Sequence, residues 1–253
     1  YPVIHLTGTN GKTSTARMIE SLLISVGLRT GRFTSPHLQS MNERIVIDGQ
    51  PIDEQAFVDA FNDIAPFTHM VDASNAHPLS FFETIVAMAY AAFSDAPVDV
   101  AVVEVGMGGA WDATNIADGQ VAVLTPIAVD HAAYLGSDPV TIAREKVGII
   151  KPGAEVISAA QLPEVLDVIA ERCTEVGATL RVEGIDFRVE SRVAAVGGQV
   201  LEIAGPWGHY SDLFLPLYGA HQAQNVSLAL AAVEAFLGGQ ALGEQVVSEG
   251  FAE

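Results

Sequence analysis

Short apolar runs alternate with helical patterns along most of the chain. The apolar run Val3–Thr7 precedes a Gly-rich turn, and Thr13–Val26 then places apolar residues at helical spacing, which predicts strand, loop and helix. Val98–Val105 and Gln120–Thr125 are continuous apolar runs, typical of central parallel strands that are covered on both faces. We therefore predict an α/β doubly wound fold, with a mainly parallel sheet, helices on both faces and ligands at the carboxyl ends of the strands.

The remaining segments extend this alternation, with two exceptions. The polar segment Ala65–Pro78 predicts an exposed loop. Ile185–Leu217 contains short β-like stretches separated by Gly-Gly and Gly-Pro turns, which predicts a small antiparallel β ribbon. The other segments predict strands at 30–34, 43–48, 155–159 and 179–182, and helices at 53–64, 81–93 (apolar on nearly all sides), 141–150, 162–175 and 221–237.

The length and composition allow one large domain or two small ones. With 49% hydrophobic residues, the 253-residue chain has ample material for a buried core. We predict one domain over 1–237, in which the small β region covers about 183–217. Residues 238–253 begin with a Gly-rich stretch and are interpreted as the start of a linker.

Composition also limits the location and the partners. The longest apolar runs are far shorter than the roughly 18–20 residues that cross a bilayer, and no basic n-region followed by an apolar h-region is visible in the sequence. Cys173 is the only cysteine, which fits a reducing cytoplasm. The net charge of −19 disfavours nucleic acid, so we expect neither a nucleic-acid nor a membrane partner. With 12 Lys and Arg, a phosphate ligand must be bound by few cations, backbone N–H groups and metal ions.

The segment Gly8-Thr9-Asn10-Gly11-Lys12-Thr13 lies between a predicted strand and a predicted helix, the context of a loop that binds the phosphates of a nucleoside triphosphate. Gly8 and Gly11 permit a tight backbone whose N–H groups point at phosphate oxygens. Lys12 supplies a charge to the β- and γ-phosphates, and the Thr13 hydroxyl is placed for phosphate or metal. The loop departs from G-x-x-x-x-G-K-[ST], because position 6 is Leu. A chance Gly-rich turn is the alternative.

Seven further segments follow this loop in a characteristic order, and the whole series resembles the ATP-dependent Mur-type amide ligases. The resemblance is closer to the folylpolyglutamate synthase/dihydrofolate synthase family, and it runs from Val3 to about Phe251. The Thr-Asn-Gly-Lys-Thr form of the loop belongs to that superfamily. The segments are Phe33-Thr34-Ser35-Pro36-His37-Leu38, Asn42-Glu43-Arg44-Ile45, Glu104-Val105-Gly106-Met107-Gly108-Gly109, Asp112-Ala113-Thr114-Asn115, Asp130-His131, Leu135-Gly136, and Glu145-Lys146 before Gly148-Ile149-Ile150-Lys151-Pro152-Gly153.

The resemblance implies a ligase that adds L-glutamate to a folate or dihydropteroate carboxylate. ATP phosphorylates the carboxylate to an acyl phosphate, and the amine of glutamate then displaces phosphate. ATP and Mg²⁺ are the implied cofactors. The family has a second, Rossmann-like domain after this region, so the chain is interpreted as the isolated ATPase domain, a monomer that is weakly active or inactive alone.

The resemblance also assigns residues to roles. Glu104 ends an apolar strand beside the loop, and Mg²⁺ prefers such carboxylate oxygens, although a Glu there could instead cap a helix. The implied metal ligands are Ser35, Glu104, His131 and Lys146, the last as a carbamate. The implied catalytic residues are Lys12, Lys146 and His131. The implied nucleotide contacts are residues 8–13 together with Ser14, Gln222 and Asn225. The implied substrate contacts are Ser35, Pro36, His37, Arg44, Asp112 and Ala113.

Two departures from the family pattern affect the substrate site. Ala110 stands where the family often has Arg, and Trp111 beside it could stack on an aromatic ligand or be an ordinary rim residue. Ala132 stands where the family often has Thr or Met.

Three other functions stay open. A peptidoglycan Mur ligase is disfavoured because only seven residues precede Gly8 and because of the pattern Ser35–Arg44. The second alternative is a nucleotide-binding module that has lost catalysis. The third is a simple kinase or ATPase.

Overall fold

The computed structural model describes residues 1–129 and 136–252, and its main feature is a large, mostly parallel sheet. Within the described residues this sheet has eight strands in the order β4-β3-β2-β5-β1-β6-β7-β8. Strands β3 and β4 are antiparallel to their neighbours, and the other pairings are parallel. The strands are β1 Val3–Thr7, β2 Thr30–Phe33, β3 Ile45–Ile47, β4 Gln50–Pro51, β5 Val100–Glu104, β6 Gly119–Leu124, β7 Glu155–Ser158 and β8 Thr179–Val182.

Helices cover both faces of this sheet, as the alternation of the sequence predicts. In β1, Ile4 and Leu6 pack in one hydrophobic cluster and Val3 packs in another, because successive side chains of a strand point to opposite faces. Helices α1, α6 and α7 pack on the first face, and α2 to α5 on the second. The helices are α1 Lys12–Ser25, α2 Glu54–Ser74, α3 Phe81–Asp95, α4 Pro139–Lys146, α5 Pro163–Val176, α6 Ala220–Phe236 and α7 Glu244–Ala252.

The predicted antiparallel ribbon is a separate three-stranded sheet. Its strands are β9 Arg188–Ala195, β10 Gly198–Ala204 and β11 His209–Leu215, in the order β11-β10-β9. Its apolar face packs on α6, which is buried on nearly all sides between the two sheets. No helix in the described part of the chain is both long and apolar enough to cross a membrane.

The prediction of a loop at Ala65–Pro78 was wrong for most of that segment. Helix α2 continues to Ser74, with Pro66 in its interior. An interior Pro removes one hydrogen bond and costs about 3 kcal/mol in a helix. The helix continues because Ala60, Ile64 and Thr68, spaced four residues apart, form a buried stripe that packs towards α3. The sequence did not reveal this stripe, because its last member is the polar Thr68, whereas the apolar Phe67 and Met70 are exposed.

The segment after residue 238 contains helix α7 rather than only open chain. Val247 and Phe251 are buried in the same cluster as Leu22 of α1. A Cβ on Gly250 would lie 2.9 Å from Leu22 Cδ2, so the two helices pack closely. The predicted domain boundary at 238 stays a prediction.

Candidate nucleotide and substrate site

Three adjacent strands bring the predicted site together. Strands β5, β1 and β6 are neighbours and parallel, with Leu6 paired to Glu104 and Thr7 paired to Leu124. Their carboxyl ends therefore meet at one edge of the sheet, where doubly wound folds bind ligands. The loop of residues 8–13 follows β1, and the segments that begin at Val105 and Thr125 follow the other two strands.

Glycines determine the shape of the phosphate loop. Gly8 has φ 147° and Gly11 has φ 87°, which L side chains rarely adopt. A Cβ on Gly8 would overlap the Thr125 hydroxyl, and a Cβ on Gly11 would lie 2.6 Å from Asn225 Oδ1. Gly11 is the N-cap of α1 and makes no side-chain cap, so the first N–H groups of that helix are suited to an anion.

Two lysines converge on this loop. Lys12 Nζ and Lys146 Nζ both donate to the Gly8 carbonyl oxygen, at 3.1 Å and 2.9 Å. Lys146 lies at the end of α4 and is buried. In a chain with so few cations, this concentrates positive charge where the sequence predicts the β- and γ-phosphates.

Glu104 joins the phosphate loop to the segment after β2. It is 1% exposed, and its two carboxylate oxygens accept from the Thr13 hydroxyl at 3.0 Å and 2.9 Å. The Ser35 N–H also faces Oε2, at 3.4 Å. Burial raises the pKa of Glu104, whereas the Lys12 charge and the bonds from Thr13 and Ser35 lower it. A buried carboxylate beside the Thr13 hydroxyl oxygen is a donor set that fits Mg²⁺.

A cavity of about 370 Å³ opens beside the loop, against α6. Asn10, Gly11 and Asn225, three of the residues predicted to contact the nucleotide, line it. Gln222 does not: it accepts from Asn225 Nδ2 at 3.1 Å and lines the neighbouring cavity with Ser14. The lining residues that the sequence prediction did not assign are Pro126, Ala159, His221, Gln224 and Leu228. Positions 221, 224, 225 and 228 form one helical face, so this spacing could have identified the last three.

A second cavity, of about 550 Å³, includes Ser35, whose N–H faces Glu104. It contains five of the six predicted substrate residues, namely Ser35, Pro36, Arg44, Asp112 and Ala113. The sixth, His37, does not line it but accepts a hydrogen bond from Arg44 Nε through Nδ1, at 2.9 Å. Trp111 also lines it, and the residues that sequence reasoning missed are Ser80, Phe82, Glu83, Gly106 and Met107. The S-x-x-E capping box at Ser80 was the available signal, because it places the start of α3 at a loop edge.

Asp112 shapes the wall of this cavity. Its Oδ1 accepts from the Thr114 N–H at 2.9 Å and from the Thr114 hydroxyl at 2.6 Å. Its Oδ2 accepts from the Met107 N–H at 2.9 Å. Both oxygens thus hold the loop after β5, and the residue is 6% exposed.

The end of α4 contacts both loops. Lys146 reaches Gly8, and the Glu145 carbonyl accepts from the Ala110 N–H at 3.0 Å. The Glu145 carboxylate accepts from the Trp111 N–H at 3.2 Å. His131, a predicted metal ligand and catalytic residue, lies outside the described residues.

The sheet order, the glycine loop opening α1 and the lysine beside it define a P-loop-type nucleotide-binding α/β domain with an adjoining second cavity. The Mur ligase middle domain matches residues 6–233. The chain belongs to this family, which confirms the predicted fold and the resemblance on which the residue assignments depend.

Relatives within the family are similar over the whole chain. A dihydrofolate synthase/folylpolyglutamate synthase from Mycobacterium tuberculosis is 50% identical over 100% of this chain and 55% of its own length. A folylpolyglutamate synthase from Lacticaseibacillus casei is 37% identical over 92% of this chain and 55% of its own length. The chain therefore spans about half the length of these relatives.

Solved structures agree with the fold. Mycobacterium tuberculosis folylpolyglutamate synthase complexed with ADP and AMPPCP has a TM-score of 0.96 and 50% identity, covering 100% of this chain and 58% of that one. An FPGS–AMPPCP–folate complex has a TM-score of 0.93 and 37% identity, covering 99% of this chain and 62% of that one.

Proposed function

We propose that this chain is the ATP-binding part of an amide ligase that adds L-glutamate to a folate or dihydropteroate carboxylate. One observation carries the proposal. The Glu104 carboxylate accepts from Thr13 in the phosphate loop, and Ser35 in the wall of the second cavity directs its N–H at the same carboxylate. A triphosphate on the loop and a carboxylate in the cavity would thus meet at one buried group. The relatives crystallised with AMPPCP and folate support this pairing of ligands.

The reaction needs the carboxylate to be activated, because a carboxylate is a poor electrophile. A carboxylate oxygen attacks the γ-phosphorus and ADP leaves, which gives an acyl phosphate. The amine of glutamate then attacks the acyl carbon, inorganic phosphate leaves, and the nitrogen loses a proton as the amide forms. Lys12 and the N–H groups at the start of α1 stabilise the charge on the phosphoryl oxygens.

Glu104, Thr13 and Ser35 would hold Mg²⁺ at this site, together with His131 and a carbamylated Lys146. Bound Mg²⁺ would neutralise negative charge between the phosphates. Carbamylation of Lys146 is compatible with its position, because a carbamate nitrogen retains one N–H that can still donate to Gly8 O. The modification would replace a buried cation with an anionic oxygen ligand beside the loop.

The second cavity fits a flat, partly polar ring. Phe82, Met107 and Trp111 provide apolar contact area, and the buried Arg44 supplies a cation to the lining. Its volume of about 550 Å³ lies within the ordinary range for small-molecule sites. A pterin is the ring that the proposed substrates share.

The test gives the full-length protein ATP, labelled glutamate, and either dihydropteroate or tetrahydrofolate, and follows glutamylated product by mass spectrometry. We expect product only when all three substrates are present, and none from Lys12→Ala. ATP hydrolysis that needs neither pterin nor glutamate would indicate a simple ATPase. Binding of ATP without any turnover would indicate an inactive module, and activity on a peptidoglycan precursor would indicate the other ligase branch.

The same experiment with residues 1–253 alone tests the domain interpretation. We expect nucleotide binding but weak turnover or none, because closure of two domains normally completes such a site. The Rossmann-like second domain, the monomeric state and the cytoplasmic location stay predictions.

A further inference from the structure

Strand β1 carries two buried polar residues where a central strand ordinarily has apolar ones. Ile4 and Leu6 pack on the face towards α1, whereas His5 and Thr7 lie on the opposite face, with Val3. His5 and Thr7 are both 0% exposed. Buried polar groups destabilise a fold unless they are hydrogen-bonded, so the partners of these two side chains indicate what they do.

Both side chains bind the loop that forms the wall of the substrate cavity. Thr7 donates its hydroxyl to the Gly108 carbonyl at 2.8 Å. His5 Nε2 lies 3.0 Å from the Thr114 hydroxyl oxygen. The strand that leads into the phosphate loop is therefore attached to the substrate loop at two positions.

The hydrogen bonds determine which nitrogen of His5 carries the proton. The Thr114 hydroxyl has one hydrogen, and Asp112 Oδ1, at 2.6 Å, can only accept it while the carboxylate is ionised. His5 Nε2 must then be the donor to Thr114. The imidazole is neutral, because burial and the nearby Lys151 charge lower the pKa of His5 to about 3.

The remaining nitrogen argues against a purely structural role. His5 Nδ1 is buried and has no hydrogen-bond partner among the described residues. An unpaired buried acceptor costs stability, and an apolar side chain of similar size would avoid that cost. The presence of a histidine at this position is therefore explained by the hydrogen bond from Nε2 to the Thr114 hydroxyl.

We propose that His5 is a positioning residue of the substrate cavity. It donates to Thr114, the Thr114 hydroxyl donates to Asp112, and Asp112 holds the Met107 N–H at the cavity wall. His5 thereby keeps the wall in a fixed position relative to the phosphate loop, which begins three residues further along the chain. The inference rests on the proposed function, since it assumes that a pterin substrate occupies this cavity.

The test compares His5→Leu with His5→Gln in the full-length enzyme. Gln can place an amide N–H near the position of Nε2, whereas Leu cannot donate. We expect His5→Leu to raise KM for the pterin substrate roughly fivefold to tenfold, the effect of about one hydrogen bond, with kcat and KM for ATP within about twofold. His5→Gln should recover most of the wild-type KM.

Ser227→Ala is the matched control. Ser227 is also fully buried, its hydroxyl has no partner among the described residues, and it lines neither cavity. It should leave the pterin KM unchanged. Hydrogen exchange over residues 106–114 gives a second readout, and it should accelerate in His5→Leu but not in the control.

The outcomes separate this inference from the proposed function. The positioning role alone would be rejected if the wild-type enzyme glutamylates a pterin but His5→Leu changes neither the pterin KM nor the hydrogen exchange of residues 106–114. Equal effects of Leu and Gln would reject it too, since only one of them lacks the donor. Wild-type enzyme that uses no pterin would reject both. If His5→Leu does not fold, Thr114→Val against Thr114→Ser tests the same chain of hydrogen bonds, because Val removes both the acceptor for His5 and the donor to Asp112.

Discussion

Acid should weaken the fold through His5, and the size of the effect follows from its burial. The ordinary pKa of 6.5 falls to about 3 in the folded chain, because desolvation disfavours the imidazolium and Lys151 adds repulsion. Between these two values the unfolded chain binds a proton that the folded chain does not. Stability from the neutral imidazole is therefore fully present above about pH 6.5 and is lost as the pH falls towards 3.

The magnitude is large enough to measure. Each pH unit within this window costs up to about 1.4 kcal/mol, so lowering the pH from about 7 to about 5 should cost about 2 kcal/mol through His5 alone. His5→Gln removes the titrating group and keeps the donor to Thr114. Urea unfolding of both proteins at the two pH values should show the wild type losing about 2 kcal/mol more than the variant.

Other ionisable groups do not obscure this comparison. The Lys151 charge acts on His5, and Asp112 is linked to His5 through Thr114, but both are present in wild type and variant. Glu104, whose pKa burial raises, also titrates in both proteins. The difference between the two pH dependences therefore isolates the imidazole. Parallel pH dependences would refute the reasoning, because they would show that His5 titrates alike in the folded and unfolded chains.

Three further predictions concern the site itself. If the Lys146 side chain is carbamylated, Lys146→Ala should abolish turnover, and added short carboxylates should restore part of it. Unchanged activity in the variant would reject the role of Lys146 as a carbamylated metal ligand. Gly11→Ala should weaken nucleotide binding at least about tenfold, since it adds backbone strain and crowds the Asn225 side chain. The control is Gly177→Ala, at φ 67° with open space around its Cβ, which should lower only Tm. Trp111→Ala should raise the pterin Kd roughly threefold to tenfold by titration, and Ile116→Ala, 75% exposed, should not.

The parts of the site that could be predicted from the sequence are those encoded locally. The phosphate loop needs two glycines, a lysine and a threonine within six residues, and the strand before it and the helix after it are read from periodicity. Lys12 and Thr13 accordingly lie where the spacing indicates. Glu104 was predictable for a related reason: it ends an apolar run, and parallel strands deliver their ends to one edge.

The parts that were missed depend on contacts between distant segments. Phe82 lines the substrate cavity because α3 begins beside the loop after β5. No local sequence pattern predicts that these two segments are neighbours. Ala159 enters the nucleotide cavity because β7 lies beside β6. The role of Asp112 could be predicted only in part. Its place in the sequence indicated that it lies at the substrate cavity, whereas its hydrogen bonds from Met107 and Thr114 depend on the folded loop.

On the proposed function, strand β1 and helix α4, rather than the loops themselves, set the distance between nucleotide and substrate. Phosphoryl transfer needs its reacting atoms about 3–3.5 Å apart, so small displacements of either loop are costly. Strand β1 is hydrogen-bonded to the substrate loop through the side chains of His5 and Thr7. The end of α4 is bonded to the same loop through the Glu145 carbonyl oxygen. A Cβ on Gly109 would lie 2.7 Å from the Lys146 carbonyl oxygen, so only glycine permits this approach. Because Lys146 of the same helix also donates to Gly8 O, the end of α4 is hydrogen-bonded to both loops and links their positions.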